Sequence, residues 1–550
     1  MRTLLRLSLL VLPLLSQVRG QSFTYTVENS RTTITGFSAE PSGAVVVPAT
    51  LGGATVTDIG RSAFKDRTGI TSVTFSSGAS VTKIGATAFQ GCTGLQSIVL
   101  PTGTTAIPAG ALQGCTTLTS VTIPSGVISI GGAAFSGCIS LPALTLPSSL
   151  TSVGDSAFLG CRSLTTLTLP SGITTVPVTL CQDGRALSSL TLSDSIVSIG
   201  NQAFEGCGVL PSLTLPTAVT SVGSDAFRDC ATLGSFAINA SLTTLGTGVL
   251  DGCSSLTAIT VSSSNAAFTA QSGVLYDKAL ATLLRFPEGK TGTFAIPSTV
   301  TSLAAGAFSH CKALSSVTFP ASLATAGADS FYYASGLTSL TLPTTLSSIG
   351  TWAFAGCTGL TRVIFPTSIT ALGNDAFHHC VNLAWVLFEG NAPTMGTTVF
   401  NNTASGFTIY YYASTSGFSS PLWSGYTASA LSTPSGLVTW MVAKGYTPGT
   451  SVLLDTDSDG VSLLMAYALG LDPTQNLAAS LPKAVLSSST LSLTFPIGQA
   501  GITYTVQTST DLTSWTATGV TIADSSGVRT ASIPVQSATP HRFMRLLVGY

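Results

Sequence analysis

Few side chains in this sequence are equipped for acid–base chemistry. Histidine occurs only four times in 550 residues, at His310, His378, His379 and His541. There is no Gly-x-Ser-x-Gly elbow and no His-Glu-x-x-His pair. The triplet Gly289-Lys290-Thr291 lacks the glycine, five residues earlier, that a phosphate loop requires. That triplet reads as a polar turn. His310 and His379 lie three repeats apart, about 15 Å at the spacing of strands, too far to share a metal. An enzyme is not expected, and neither is a cofactor. The one pattern that suggests a metal is acidic: Asp455, Asp457 and Asp459 stand at positions one, three and five of a calcium-type loop, with Gly460 at six. The twelfth position, where a bidentate carboxylate belongs, is Ala466. Calcium binding would therefore be weak, and the alternative is a solvated acidic cap on the helix that follows.

Rings are the second kind of candidate. Along most of the chain a residue plus glycine precedes a cysteine, but towards the C-terminal end this becomes Ser309-His310, Tyr332-Tyr333 and His378-His379, while Trp352 and Trp385 replace small residues. Aromatic and imidazole groups contribute more interface energy than Ser or Thr. The stretch 309–388 is thus expected to hold a contact surface made of Tyr332, Tyr333, Trp352, His379 and Trp385; scattered surface rings without a role are the alternative. A column of outward hydroxyls, Thr122, Thr145, Thr168 and Thr191 among them, offers little over water without rings or charges beside it.

The elements that must position these groups are set by a repeat. Cys92, Cys115, Cys138 and Cys161 are each 23 residues apart, as are Cys207, Cys230 and Cys253, and again Cys357 and Cys380; Cys181 is slipped by three and Ala334 fills another place in the series. Some 350 residues at this period predict about fifteen coils. In one unit, Ser120 to Ile123 alternates as a short strand, Pro124 ends it for want of an N–H, and Gly131 is expected to permit the turn to the far side. There Phe64, Phe89, Phe135 and their counterparts up to Phe377 form an inner spine. No coil can bury its phenylalanine alone, so neighbouring coils must supply the other wall. Stacked cysteines carry parallel Cα–Cβ vectors, wrong for low-strain bridges, which predicts a ladder of buried thiols in place of disulfides.

Units such as Leu337-Thr338-Ser339-Leu340-Thr341-Leu342-Pro343, followed by Ile349-Gly350 and Ala353-Phe354, resemble the BspA-like leucine-rich repeats of bacterial and protist surface proteins. The resemblance implies a mostly β solenoid at residues 61–400, an N-terminal cap at 21–60, a β-hairpin island at 262–297 and a closing cap at 401–430. Beyond it, Leu437 to Lys444 and Val461 to Leu469 read as helices in a segment spanning 431–480, and short alternating strands at 481–550 suggest a small β-sandwich. Tyr467 to Pro473, Ser509 to Leu512 with Trp515, and Arg542 to Leu546 are similar to the C-terminal module of many large exported bacterial proteins, which implies attachment or display.

Charge and composition fit this picture. Only 8% of residues are charged, against roughly 25% in ordinary soluble proteins, and the net charge is −1. With its 21 basic residues balanced by 22 acidic ones the chain has no basic face to neutralise phosphates, so no nucleic-acid partner and no electrostatic hold on anionic lipid are expected. Hydrophobic residues at 44% supply a core. Arg2, Arg6, the apolar run Leu7 to Leu15, Val18 and Gly20 read as a secretory signal peptide at 1–20, and no apolar stretch long enough to span a bilayer follows. The expectation is a secreted or cell-surface protein that binds a protein or matrix ligand through its repeats. The alternative is a glycan- or matrix-binding protein held by its end module, with the repeats as spacer.

Overall fold

The computed structural model describes residues 14–18, 21–433, 435–535 and 542–550. The apolar run expected to direct export therefore lies almost wholly outside the described residues; its last two, Leu14 and Leu15, open a strand that pairs with Gln21–Glu28. The chain is 31% strand and 4% helix, and forms a β-solenoid of about 17 turns. Fifteen coils were expected from the cysteine period. The excess arises because the caps wind in the same sense as the repeats: Gly43–Val47 pairs in parallel with Ile70–Phe75, and Thr408–Tyr412 pairs in parallel with Tyr426–Leu431.

Most coils contribute two short parallel strands, exemplified by Ser120–Thr122 and Ser129–Ile130. Register advances by one period of the sequence, so that Ser129 pairs with Ser152 and Thr168 with Thr191. On the third side, backbone bonds run from coil to coil, as from Phe135 N–H to the Ala157 carbonyl at 2.9 Å. The spine is present: Phe135, Phe158, Phe204, Phe227, Phe308 and Phe331 are fully buried, and Phe308 stacks on Phe331 with centroids 4.6 Å apart.

All eleven cysteines are buried and free. Ten of the thiols donate to carbonyls of the preceding coil, as Cys138 Sγ does to Leu112 at 3.2 Å. Burial pushes the thiols of Cys92, Cys230 and Cys380 up to about 12, so they stay protonated and inert at neutral pH.

The role expected of the repeat glycines needs correcting. Gly131 does not adopt a left-handed backbone; a Cβ there would lie 2.4 Å from the Ala109 nitrogen, so glycine is needed because adjacent coils approach closely. The left-handed turn comes two residues later, at Ala133 with φ 54°, and again just before every cysteine except the slipped Cys181, where it falls at Asp183.

The island is a three-stranded meander, Phe268–Gln271, Val274–Asp277 and Thr282–Arg285, more than a single hairpin. It ends one pair of ladders and begins the next, and the buried core divides there into two clusters that meet at Val274 and Leu275. After the solenoid come helix α1 (Ser435–Ala443) and helix α2 (Leu463–Leu469), the latter closed by Gly470 at φ 68°. Antiparallel sheets of four and two strands then pack face to face through Leu493, Phe495, Val506 and Ala531.

Candidate functional site

Four of the five rings singled out in the sequence lie on one side of the coils after the island. They belong to a continuous row. His310 and Tyr333 stack with centroids 5.8 Å apart, Tyr333 and Tyr332 meet at 4.6 Å, Tyr332 and Trp352 at 6.0 Å, Trp352 and His378 at 5.4 Å, and His378 and His379 at 4.2 Å. His310 and His378 complete the row and were not among the five. Asn402 closes it, with its side-chain nitrogen 3.3 Å from His378 Nε2 and 3.4 Å from His379 Nε2.

The backbone beneath the row is unusual. His310, Tyr333, Trp352 and His379 all sit at positive φ, between 53° and 60°. At the place of His310, Tyr333 and His379, just before the cysteine, earlier coils carry Gly91, Gly114, Gly137 and Gly160, or Asp183 and Asp229, residues that tolerate this conformation; at the Trp352 place they carry Ala133, Ser156, Thr179 and Gln202, also at positive φ. For bulky side chains it costs about 1–2 kcal/mol each, and such strain collects at functional sites. Gly356 makes room for the row: a Cβ there would come within 2.7 Å of the Tyr333 ring. Tyr333 and His379 are exposed, and Tyr332 and Trp352 are half-buried.

Trp385 does not belong to this surface. It is 6% exposed and packs with Leu387, Tyr412 and Leu431 against Val438 and Val442 of α1. The serine or threonine of other coils faces water at this position, but here the helix covers the end of the sheet, so all four residues of Trp385–Phe388 are buried.

Next to the row, at His310, begins a charged cleft of about 490 Å³ lined by Arg228, Asp229, Asp251, Glu288, His310 and Lys312. Its wall includes a buried cluster that sequence reasoning missed. Arg285 Nη2 donates to Glu288 Oε1 at 2.5 Å and to the Leu250 carbonyl at 3.1 Å, Nη1 donates to the Gly306 carbonyl at 2.7 Å, and Nη1 also pairs with Asp251. Glu288 accepts from the Gly252 N–H at 2.7 Å. These side chains satisfy backbone groups that a regular coil would satisfy with its neighbour. Burial works against the guanidinium charge, but Asp251 and Glu288 hold Arg285 protonated; burial raises the Glu288 carboxyl more than Arg285 lowers it. Burial also lowers the His310 pKa, which keeps its ring neutral at pH 7. The signal was present in the sequence: Arg285 precedes Phe286 where other coils carry alanine, as in Ala134-Phe135. It was hidden by the island's irregular length.

The acidic loop brings Asp455, Asp457 and Asp459 together, with one ligand atom from each lying within 4.8 Å of the others. Part of their capacity is used within the chain, since Asp455 accepts from the Gly460 N–H at 2.8 Å and Asp459 from the Val461 N–H at 2.8 Å. Ala466 is fully buried on α2. The helix cap is Ser462, whose hydroxyl accepts from the Met465 N–H, so the aspartates do not serve as the cap. Three carboxylates fall short of the six to eight oxygens calcium takes.

Comparison with known proteins decides the family. The BspA type leucine-rich repeat region matches residues 57–183, 174–291 and 284–405, well over half of the chain. The chain belongs to the BspA-type leucine-rich repeat family. Among solved structures, it is similar to a leucine-rich cell surface protein of Faecalibacterium prausnitzii, at 26% identity over 68% of this chain and 88% of that one, with a TM-score of 0.45. A leucine-rich repeat protein of Bacteroides ovatus is 25% identical over 67% of this chain and 92% of its own, TM-score 0.48. The leucine-rich repeat protein of T. pallidum is 32% identical over 34% of this chain and 88% of its own, TM-score 0.32. No curated protein matches. No described helix is long and apolar enough to cross a membrane.

Proposed function

We propose that this BspA-type repeat protein is exported, resides outside the cell or at its surface, and binds a protein or matrix partner through the ring row that follows the island. The observation that carries this reading is the strained backbone: His310, Tyr333 and His379 hold large side chains at positive φ, where earlier coils manage with glycine or aspartate, and Trp352 does so at a second turn that earlier coils fill with the smaller Ala133, Ser156, Thr179 or Gln202. The rod gains nothing from that exchange, and a partner meeting pre-organised rings gains interface energy. Family membership supports the surface role, as does the cell-surface description of the Faecalibacterium protein. The C-terminal sheets serve attachment or display in this reading, and Asp455, Asp457 and Asp459 hold calcium weakly, at about millimolar affinity. Calorimetry of the full chain with calcium tests the last point, a micromolar affinity or no heat at all counting against it.

The direct test is solid-phase binding of the full chain to a panel of extracellular-matrix and cell-surface proteins. Replacing Tyr333, Trp352 and His379 together by glycine is expected to reduce binding to any captured partner by at least tenfold. Unchanged binding by the triple variant would remove the row from the interface.

A further inference from the structure

A second cavity, apart from the ring row, lies where the solenoid meets α1. It measures about 710 Å³, and Thr367, Glu389, Tyr412, Ser414, Ser432 and Thr433 line it, with Leu431 between them. Its size and its place at a junction of two structural units are those of small-molecule sites. Two polar groups in its wall matter most. Tyr412 is 8% exposed, and its hydroxyl is buried without a hydrogen bond. Glu389 is half-buried, and burial alone raises its pKa; it forms no salt bridge among the described residues. The two are close enough for Glu389 to push the phenol up further, to about 12. The Tyr412 hydroxyl is held out of water without a partner, a situation that native interiors rarely leave unanswered, and Glu389 keeps part of its surface open to a ligand.

The composition of the wall selects among ligands. A lone carboxylate cannot hold a divalent cation. A simple amine would answer Glu389 and leave the ring of hydroxyls unused. A hydroxyl-bearing ring answers every feature: its O–H groups donate to the two oxygens of Glu389 in charge-assisted bonds, the Ser and Thr hydroxyls donate and accept around it, and its C–H face lies on Leu431 and the Tyr412 ring. The exposed threonine column along the strands has hydroxyls without rings or charge; this cavity combines all three.

We infer that the cavity between the solenoid and α1 binds a neutral sugar residue, either free or at the end of a glycan, with Glu389 and Tyr412 as its principal contacts. The site is separate from the ring row and does not depend on it.

Saturation-transfer NMR of the full chain with glucose, galactose, mannose, N-acetylglucosamine and glucosamine tests this. At least one neutral sugar is expected to receive saturation. Glu389→Gln is expected to weaken it at least tenfold and Tyr412→Phe about fivefold. Tyr412→Phe should melt no lower than the parent, because the hydroxyl removed had no partner in the protein, so lost binding in that variant is not lost folding. Oligosaccharides ending in the bound sugar tell the two sources apart: equal or tighter binding identifies a glycan end, and binding of the monosaccharide alone identifies a free sugar. Trp352→Gly should leave the signal unchanged, which separates failure of this site from failure of the ring row. Absence of binding by every neutral sugar, binding of glucosamine alone, or equal binding by both cavity variants would overturn the inference.

Discussion

Before the island, the solenoid's ladders break into short sheets of two to four strands once the cap is passed; after it, both ladders run uninterrupted through eight strands. The repeat is the same in both halves, and four prolines account for the breaks. In a regular coil the Thr119 N–H donates to the Gln96 carbonyl, and the Gly131 N–H to Ile107. Pro142 and Pro211 occupy the first of these positions and Pro108 and Pro177 the second, and none has an N–H to give. The corresponding places after the island hold Ser315, Thr338, Thr361 and Ala384, and Ala304, Gly327, Gly350, Gly373 and Gly396. The half that carries the strained rings is also the half with continuous hydrogen bonding. A rigid scaffold can hold side chains in a conformation they would otherwise leave, and at the place before the cysteine the interrupted half carries only glycine or aspartate, which suit the turn.

The largest expected difference between the halves is their response to alkali. Eight of the eleven cysteines precede the island and three follow it. The folded pKa values of seven thiols before the island and of all three after it lie above the unfolded value near 9, reaching about 12 at Cys92, Cys230 and Cys380. The stability they contribute is therefore complete below pH 9 and is lost as pH rises towards 12. Each thiol removes about 1.4 kcal/mol per pH unit in that window. Hydrogen exchange at pH 10.5 should show the first half opening before the second; simultaneous opening would mean that the thiols do not dominate.

Next in size is the aromatic spine. Phe135→Ala and Phe331→Ala should each destabilise by about 3–5 kcal/mol, and because the core divides at the island, calorimetry should show each variant lowering the transition of its own half. A common shift of the whole profile would show that the two clusters unfold as one.

Smaller effects follow from the ladders themselves. Ala384→Pro removes the bond to the Thr361 carbonyl, 2.9 Å long, and should cost about 1–3 kcal/mol, visible as a lower melting point of the second half. In the opposite direction, Pro142→Thr with Pro211→Thr should rejoin the broken ladder and raise the first transition by about 0.5–1.5 kcal/mol per bond. No gain would place the origin of the breaks elsewhere.

Much of this architecture could be read from periodicity. A cysteine every 23 residues with a phenylalanine three places earlier determines what stacks on what, and the free, buried thiols follow from parallel Cα–Cβ vectors. Features that depend on distant or irregular neighbours could not be read in this way. Trp385 sits at an outward position of its strand, and only the packing of α1, some fifty residues on, buries it. Arg285 and Glu288 lie in the island, where the period lapses. Gly131 was legible as necessary, but its reason, the close approach of Ala109, belongs to the coil before it. The rings of the row were visible as departures from the repeat; that His310, Tyr333 and His379 keep a left-handed backbone was not, because the residue types carry no sign that the coil keeps its turn when glycine is replaced.

The central claim, that these rings serve an outside partner and not the rod, is tested most directly by thermal unfolding of the full chain with Tyr333, Trp352 and His379 all changed to glycine. Relief of strain should offset the lost ring contacts, leaving the midpoint of the second half within about 2 °C of the parent. A fall of about 6 °C or more, the signature of deleted core aromatics, would show that the rings hold the solenoid together and would contradict the account.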